Sequence, residues 1–185
     1  MKKKIKRFIV VLVIAVLSVG CGFLYDRYDH RKKLEEYPRR YQTEISVLSY
    51  EYNVPTSVAY TVIRECSGFD AAYRSDRGTG LFSLTDVQYE EIEIRLGNEP
   101  ENPGLLYQPD TSLRLGIFRL SELFLKYGRW ETVFAAFAAG EEAVDTWLGE
   151  DGELVSIPDE AAADFVGRCV KTLKMYNSLY EGKNR

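Results

Sequence analysis

Apolar residues spaced three or four positions apart, in segments separated by glycine and proline, constrain the fold of this chain most strongly. Val58, Val62 and Cys66 show the pattern, because each lies four residues after the one before and one helical face therefore carries all three. From residue 41 onward the same spacing recurs, and no stretch alternates apolar and polar residues as a half-buried strand does. The sequence therefore predicts an all-α domain.

Glycines, prolines and capping residues indicate where these helices begin and end. Two loops, 75–80 and 98–109, are rich in glycine or proline and separate helices in the first half of the domain. The predicted helices are 41–52, one starting at Thr56 or Ser57, 85–96, one from Asp110 or Thr111 to 126, 131–139, 141–148 and 160–180.

The N-terminal segment predicts a membrane anchor. Residues 1–7 carry five Lys and Arg, and residues 8–25 form an uncharged, apolar run of 18 residues. Such a run is just long enough to cross a hydrocarbon core of roughly 30 Å as a helix. Because the basic flank stays in the cytoplasm, we expect a single-pass protein of the cell membrane whose domain lies on the extracytoplasmic side.

Two other interpretations of this segment stay open. A glycine precedes Cys21, as in a lipoprotein signal, although Ser18 stands where such signals usually have leucine. Ordinary signal-peptide cleavage is the third alternative, and the sequence offers no clear small-residue cleavage site for it. All three export the rest of the chain, which divides into a charge-dense stalk at 26–40, a domain at 41–180 and a tail at 181–185.

Charge and histidine content exclude several functions. The net charge is −4, and since the first seven residues contribute +5 and no charge follows until Asp26, residues 26–185 carry −9. Nucleic-acid binding needs clustered Lys and Arg, so nucleic acid is not an expected partner, whereas a neutral-to-polar glycan is compatible. The one histidine, His30, lies in the stalk. Histidine-dependent catalysis and histidine metal sites are therefore excluded in the domain, and no metal or cofactor is predicted.

Five segments in order, within residues 41–180, resemble the motifs of the lysozyme-like lytic transglycosylase (SLT) family, which cuts bacterial peptidoglycan. The resemblance implies a lysozyme-like, all-α fold, which here follows the one predicted N-terminal transmembrane helix, and peptidoglycan glycan strands as partner. The segments are 62–69 (family V-I-R-Q-E-S-x-F), 80–85 (G-L-M-Q-[LI]-[MT]), 107–116 (L-x-D-P-x-x-N-I-x-x-G), 135–148 (A-A-Y-N-A-G…V-x-x-W-L) and 157–166 (I-P-x-x-E-T-x-x-Y-V).

Cys66 stands where this family has its catalytic glutamate, and matching residues on both sides fix the register. Cleavage of a glycosidic bond needs a carboxylic acid of raised pKa to protonate the leaving oxygen. A thiol has an unperturbed pKa of about 8.5 and is a weaker acid still when buried. The resemblance therefore implies that Cys66 occupies the catalytic position without the family's acid.

Other positions of the groove have also lost polar atoms. The family's glutamine is replaced by Ser83, its Tyr-Asn pair by Phe137 and Ala138, and a groove tyrosine by Phe165, while Ser67 is kept. The resemblance implies that these five residues line the substrate groove. The replacements predict a pseudoenzyme that binds peptidoglycan, or a partner protein, without cutting it.

Two other functions stay open: an active transglycosylase with an unorthodox acid, and an envelope scaffold whose groove is vestigial and whose outer face binds another envelope protein. Glu65 is the carboxylate nearest in sequence to Cys66. One residue rotates a helix by about 100°, so we expect Glu65 to point away from the face of Val62 and Cys66. We interpret it as a solvated or salt-bridged surface residue.

The two cysteines of the domain also leave alternatives. Free cysteines are among the most buried residues, so Cys66 and Cys169 are interpreted as small buried thiols. The resemblance places Phe165, one helical turn before Cys169, near the catalytic position. An exported domain can form disulfides, so a bridge between the two cysteines is the alternative.

Overall fold

The structure is a computed structural model that describes the backbone of residues 2–181 and the side chains of Ser18 and residues 20–181. The chain divides into two compact units, and the boundary between them lies between Pro38 and Arg39.

The first unit is one helix, α1, which spans Lys2–Glu36 and so continues through most of the segment predicted as a stalk. Where side chains are described, no helix is both long and apolar enough to cross a membrane. The predicted span at 8–25 falls largely outside those residues, because the side chains of 8–17 and 19 are not described.

The second unit is helical apart from one small hairpin, which confirms the predicted all-α class. Two short non-α turns accompany the helices, a 3₁₀ helix at Pro103–Tyr107 and a π-helical turn at Asn177–Glu181. The helices and strands are α2 (Gln42–Glu51), α3 (Thr56–Ser67), β1 (Arg74–Ser75), β2 (Gly78–Thr79), α4 (Asp86–Arg95), α5 (Pro109–Tyr127), α6 (Trp130–Ala139), α7 (Glu141–Asp145) and α8 (Glu160–Tyr176).

The hairpin occupies the segment that the sequence predicted only as a glycine-containing loop. Strands β1 and β2 are antiparallel, with Arg74 opposite Thr79 and Ser75 opposite Gly78. Strands of two residues cannot show an alternating pattern, so periodicity gives no signal for them. Tyr73, Ser75, Asp76 and Arg77, in and beside this hairpin, line the cleft described below.

Two helix starts differ from the sequence prediction. Pro55 is the N-cap of α3 and Gln108 that of α5, and neither makes a side-chain capping bond. The prediction of a threonine, serine or aspartate cap at these two positions is therefore wrong. Helix α5 instead starts with Pro109, which suits the first turn because the missing N–H would have no helical partner there.

The core lies where α3, α5, α6 and α8 pack together. Val58 and Ile63 of α3, Leu120 of α5 and Phe134 of α6 are 0–1% exposed, and burying each such side chain contributes roughly 1.5–3 kcal/mol. Close packing also explains a glycine. A Cβ on Gly116 of α5 would collide with the ring of Phe82, so the absence of a side chain there allows that ring to lie beneath the cleft.

Candidate functional site

A cleft of about 670 Å³ lies between the C-terminal ends of α3 and α6, the start of α8, and the β-hairpin. Of the six residues that the sequence predicted for the site, five line this cleft: Cys66, Ser83, Phe137, Ala138 and Phe165. Residues more than 90 positions apart in the chain therefore meet where the family resemblance placed them.

Ser67, the sixth predicted residue, is not among the residues that line the cleft. Its Oγ donates to the carbonyl oxygens of Leu81, at 2.8 Å, and of Ile63, at 3.1 Å. The hydroxyl thus fastens the end of α3 to the loop that carries Ser83. The backbone of that loop is strained at Ser83. The φ of this residue is 50°, which lies in the left-handed region that residues other than glycine seldom adopt.

Cys66 is half-buried at the cleft wall. Burial and, to a smaller extent, the nearby charge of Glu65 raise the pKa of its thiol to about 12, although Arg168 opposes the rise. The thiol is therefore protonated and uncharged at neutral pH. In this state it is a poor nucleophile, and it is too weak an acid to assist a leaving group at that pH.

Glu65 lines the same cleft, and its side chain is only 8% exposed. The prediction of a solvated surface residue is therefore wrong, whereas the alternative of a salt bridge is confirmed. Its carboxylate accepts bonds from Arg64 Nη1 at 3.2 Å, from Arg168 Nε at 3.1 Å and from Thr172 Oγ1 at 2.7 Å. Helix α8 packs along α3 and covers the face of α3 that carries Glu65. The periodicity of residues within α3 cannot reveal that a second helix covers this face.

Three aromatic rings form the apolar part of the cleft. The centroids of Phe82 and Phe137 are 6.2 Å apart with the rings tilted by 54°, and Phe165 is 7% exposed. The guanidinium carbon of Arg168 lies 5.8 Å from the centroid of Phe165. The cleft thus combines flat apolar surfaces with a half-exposed cation.

Sequence reasoning missed several polar residues of this cleft. Tyr73, Asp76 and Arg77 come from the unpredicted hairpin, and Arg168 comes from α8. A signal for Arg168 existed, because it lies three residues after Phe165 and so shares its helical face. Asp159 also lines the cleft, but its Oδ1 accepts a bond of 2.7 Å from the Ala162 amide and so caps α8.

Both domain cysteines are free thiols, so the alternative of a disulfide is not realised in this structure. Cys169 is fully buried, and burial raises the pKa of its thiol, with further contributions from Cys66 and Glu65. The prediction that both cysteines are small buried thiols is therefore confirmed for Cys169, whereas Cys66 is only half-buried. Within the described residues, no three Cys, His, Asp or Glu side chains are grouped so that they could hold a metal ion.

Residues 44–157 match the model of the family described as the transglycosylase SLT domain, which is more than half of the chain. No curated protein sequence matches it.

Three solved structures of lytic transglycosylases resemble the domain. An inactive mutant of the lytic transglycosylase Slt from Pseudomonas aeruginosa has a TM-score of 0.70 and 23% identity, over 77% of this chain and 24% of that one. The 70 kDa soluble lytic transglycosylase from Escherichia coli has a TM-score of 0.73 and 21% identity, over 79% and 25%. A complex of the 70 kDa soluble lytic transglycosylase with bulgecin A has a TM-score of 0.73 and 20% identity, over 83% and 26%. This chain thus spans about a quarter of each of those proteins, and the likeness shows a shared fold, as predicted.

Proposed function

The chain belongs to the family of transglycosylase SLT domains, and we propose that it is a member that binds peptidoglycan glycan strands without cutting them. The observation that carries this proposal is the state of the cleft wall at the end of α3. There lies the Cys66 thiol, which the family resemblance assigns to the position of the acid and whose pKa is raised to about 12. The adjacent carboxylate, Glu65, already accepts three hydrogen bonds.

The chemistry of glycosidic cleavage supports a non-cutting role. General acid–base catalysis contributes roughly 10²–10⁴-fold to such a reaction, and it requires a group whose pKa lies near the working pH. The related Slt from Pseudomonas aeruginosa was solved as an inactive mutant in which glutamine replaces one glutamate. In that protein the loss of one carboxylate accompanies inactivity, and a thiol at Cys66 is a comparable loss.

The remaining carboxylates of the cleft are poor substitutes for the acid. Asp159 is engaged as the cap of α8, and Asp76 is exposed on the hairpin. A catalytic acid of a glycosidase is instead held in an apolar pocket that raises its pKa. Asp76 is therefore the residue to examine if the alternative, an active enzyme with an unorthodox acid, is correct.

The composition of the cleft supports binding of a glycan. Phe137 and Phe165 present apolar surface to one side, next to the fully buried ring of Phe82, and Tyr73, Arg77 and other polar groups lie on the hairpin side. A sugar ring has apolar C–H faces and hydroxyl edges, which match these two kinds of surface. The relative solved with bulgecin A shows that a protein of this fold binds a ligand.

We also propose that residues 8–25 hold the protein in the bacterial cytoplasmic membrane, with the domain on the side where peptidoglycan lies. The support is the basic flank followed by an uncharged, apolar run. A mass spectrum of the mature protein should contain the N-terminal peptides from Met1 onward. A diacylglyceryl group on Cys21 would replace this proposal with a lipoprotein, and a new N-terminus after residue 25 would replace it with a cleaved signal peptide.

Binding and cleavage are tested together by incubating the full chain with purified, insoluble peptidoglycan. We expect the protein to sediment with the peptidoglycan and to release no anhydro-muropeptides above a blank, as measured by mass spectrometry. Ala138→Trp fills the cleft at an exposed lining position and should abolish sedimentation. Thr43→Trp, on the exposed side of α2, is the matched control and should sediment normally.

Two other results of this experiment would support the two alternative functions. Release of anhydro-muropeptides at the level of an active lytic transglycosylase would show an enzyme with an unorthodox acid. Failure of the wild-type chain to sediment would contradict glycan binding and favour the envelope scaffold with a vestigial groove.

A further inference from the structure

The end of the apolar run in α1 carries a dense group of exposed apolar side chains. Phe23, Leu24, Tyr25 and Tyr28 are 61–69% exposed, although they lie within six consecutive residues. Apolar residues that are exposed singly are normal on a protein surface, whereas several together mark an interaction site. All four belong to the first unit of the chain, so this group is separate from the cleft.

Helical geometry places most of this group on one side of α1. The helix runs unbroken from Lys2 to Glu36, and each residue advances it by about 100°. Residues four apart therefore form rows along the surface. Two adjacent rows, 23–27–31 and 24–28–32, together cover about half of the circumference. We call this surface the basic–aromatic face, and it consists of Phe23, Leu24, Arg27, Tyr28, Arg31 and Lys32.

The charges of residues 23–33 are divided between the two sides of the helix. The basic–aromatic face carries three cations and no carboxylate, whereas both aspartates of this segment, Asp26 and Asp29, lie on the opposite side. There Asp29 forms an ion pair of 2.7 Å with Lys33, which neutralises the fourth cation. A helix that is basic and apolar on one side is typical of a surface that contacts membrane lipids.

The three cations of the basic–aromatic face are available to a ligand. They are exposed, and within the described residues Arg27, Arg31 and Lys32 form no ion pair. This holds even for Arg31 and Glu35, which lie one turn apart on the same side of the helix. The guanidinium carbon of Arg27 lies 5.7 Å from the ring centroid of Phe23, so this cation lies along its row, next to an apolar ring.

Distances along the helix fit the boundary of a membrane. The apolar run ends at Tyr25. Because a helix rises about 1.5 Å per residue, Tyr28 lies about 4–5 Å and Lys32 about 10 Å beyond that end. The headgroup layer of one leaflet is roughly 5–8 Å thick. Tyrosine is typical of this layer, and long basic side chains can extend toward the lipid phosphates.

We propose that the basic–aromatic face binds the headgroup layer of a bilayer that contains anionic phospholipids. This inference rests on the proposed membrane anchor at residues 8–25. Phe23 and Leu24 contact the ends of the acyl chains, Tyr28 lies among the headgroups, and the three cations of the face contact lipid phosphates. Because these groups lie on one side of α1, the helix tilts toward the membrane on that side, as spanning helices commonly do.

The test is hydrogen–deuterium exchange of the full chain in lipid vesicles, measured by mass spectrometry on peptides that cover residues 23–33. Vesicles of phosphatidylcholine alone are compared, at one ionic strength, with vesicles that also contain phosphatidylglycerol. One basic residue near an anionic surface strengthens the contact about fivefold. With three such residues, we expect exchange of these amides to slow at least about tenfold when phosphatidylglycerol is present.

Matched variants separate the basic–aromatic face from a general effect of charge. Arg31→Gln should lose about fivefold of this slowing, and Arg27→Gln should act in the same way. Lys33→Gln removes an equal charge from the opposite side of α1 and should keep the slowing. Glutamine is a good helix former, so each variant retains the helix.

Flotation of the same vesicles distinguishes this inference from the proposed anchor. A chain that floats only with vesicles containing phosphatidylglycerol would contradict the anchor and support the face, and a chain that floats with neither kind would contradict both. The inference is overturned if phosphatidylglycerol does not slow exchange in a chain that floats. It is also overturned if Arg31→Gln and Lys33→Gln lose the slowing equally.

Discussion

Thr172 donates a hydrogen bond of 2.7 Å from its Oγ1 to Oε1 of Glu65, and this contact joins α8 to α3 one residue before the thiol of the cleft. Arg168, one turn earlier on α8, donates to the other oxygen of the same carboxylate at 3.1 Å. Glu65 therefore fixes the position of the helix that carries Phe165. Glu65, the carboxylate nearest in sequence to Cys66, therefore stabilises the packing of α8 against α3.

Glu65→Gln should reduce the stability of the domain. The variant keeps the shape of the side chain but removes the charge that Arg64 and Arg168 share, and hydrogen bonds to a charged group contribute about 1.5–3 kcal/mol each. Because Arg168 is half exposed, we expect a total loss of about 1–3 kcal/mol in the free energy of unfolding, measured by urea denaturation. Glu90→Gln on the exposed side of α4 is the control. Equal stability of the two variants would contradict the structural task of Glu65.

The thiol of Cys66 should alkylate slowly and only at high pH. The thiolate is the reactive form, and with a pKa raised to about 12 its fraction grows about tenfold per pH unit up to that pH. An unperturbed thiol levels off near pH 8.5. Iodoacetamide labelling of the Cys66 peptide, followed by mass spectrometry between pH 7 and 11 and compared with glutathione, measures this difference. A plateau near pH 8.5 would show that burial does not control this thiol.

Cys66→Glu alone should not make the protein an active transglycosylase. The new carboxylate would lie beside Glu65. The cleft around it would still carry Ser83, Phe137 and Phe165, where the family resemblance implies a glutamine and two tyrosines. We expect release of anhydro-muropeptides to stay near that of the wild-type chain. Full activity in this variant would show instead that the remainder of the cleft suffices for catalysis.

Gly116→Ala should destabilise the domain and disturb the cleft. The added Cβ would collide with the ring of Phe82, and overpacking of this kind costs typically about 1–3 kcal/mol. The matched control is Gly167→Ala on α8, where a Cβ meets nothing within 4 Å and alanine should stabilise the helix by up to about 1 kcal/mol. Thermal unfolding of both variants measures the difference, and equal melting temperatures would disprove the packing argument.

The sequence predicted the fold class and part of the cleft for identifiable reasons. The spacing of Val58, Val62 and Cys66 requires a helix with one apolar face, and α3 spans these residues. Motifs in family order then placed Ser83, Phe137 and Phe165 around Cys66, and the structure brings them together. Such motifs carry long-range information, because their order and spacing reflect a whole fold.

Local sequence could not predict which second helix covers each face of α3. Glu65 is 8% exposed because Arg168 and Thr172, more than 100 residues later, pack against it.

The sequence by itself therefore determined that the chain folds as an all-α domain of this family, and the family resemblance predicts that the Cys66 thiol stands at the position of its acid. The tertiary structure alone decided that Glu65 accepts hydrogen bonds from Arg168 and Thr172. Periodicity describes one helix at a time, whereas burial and hydrogen bonding depend on what other helices bring alongside it.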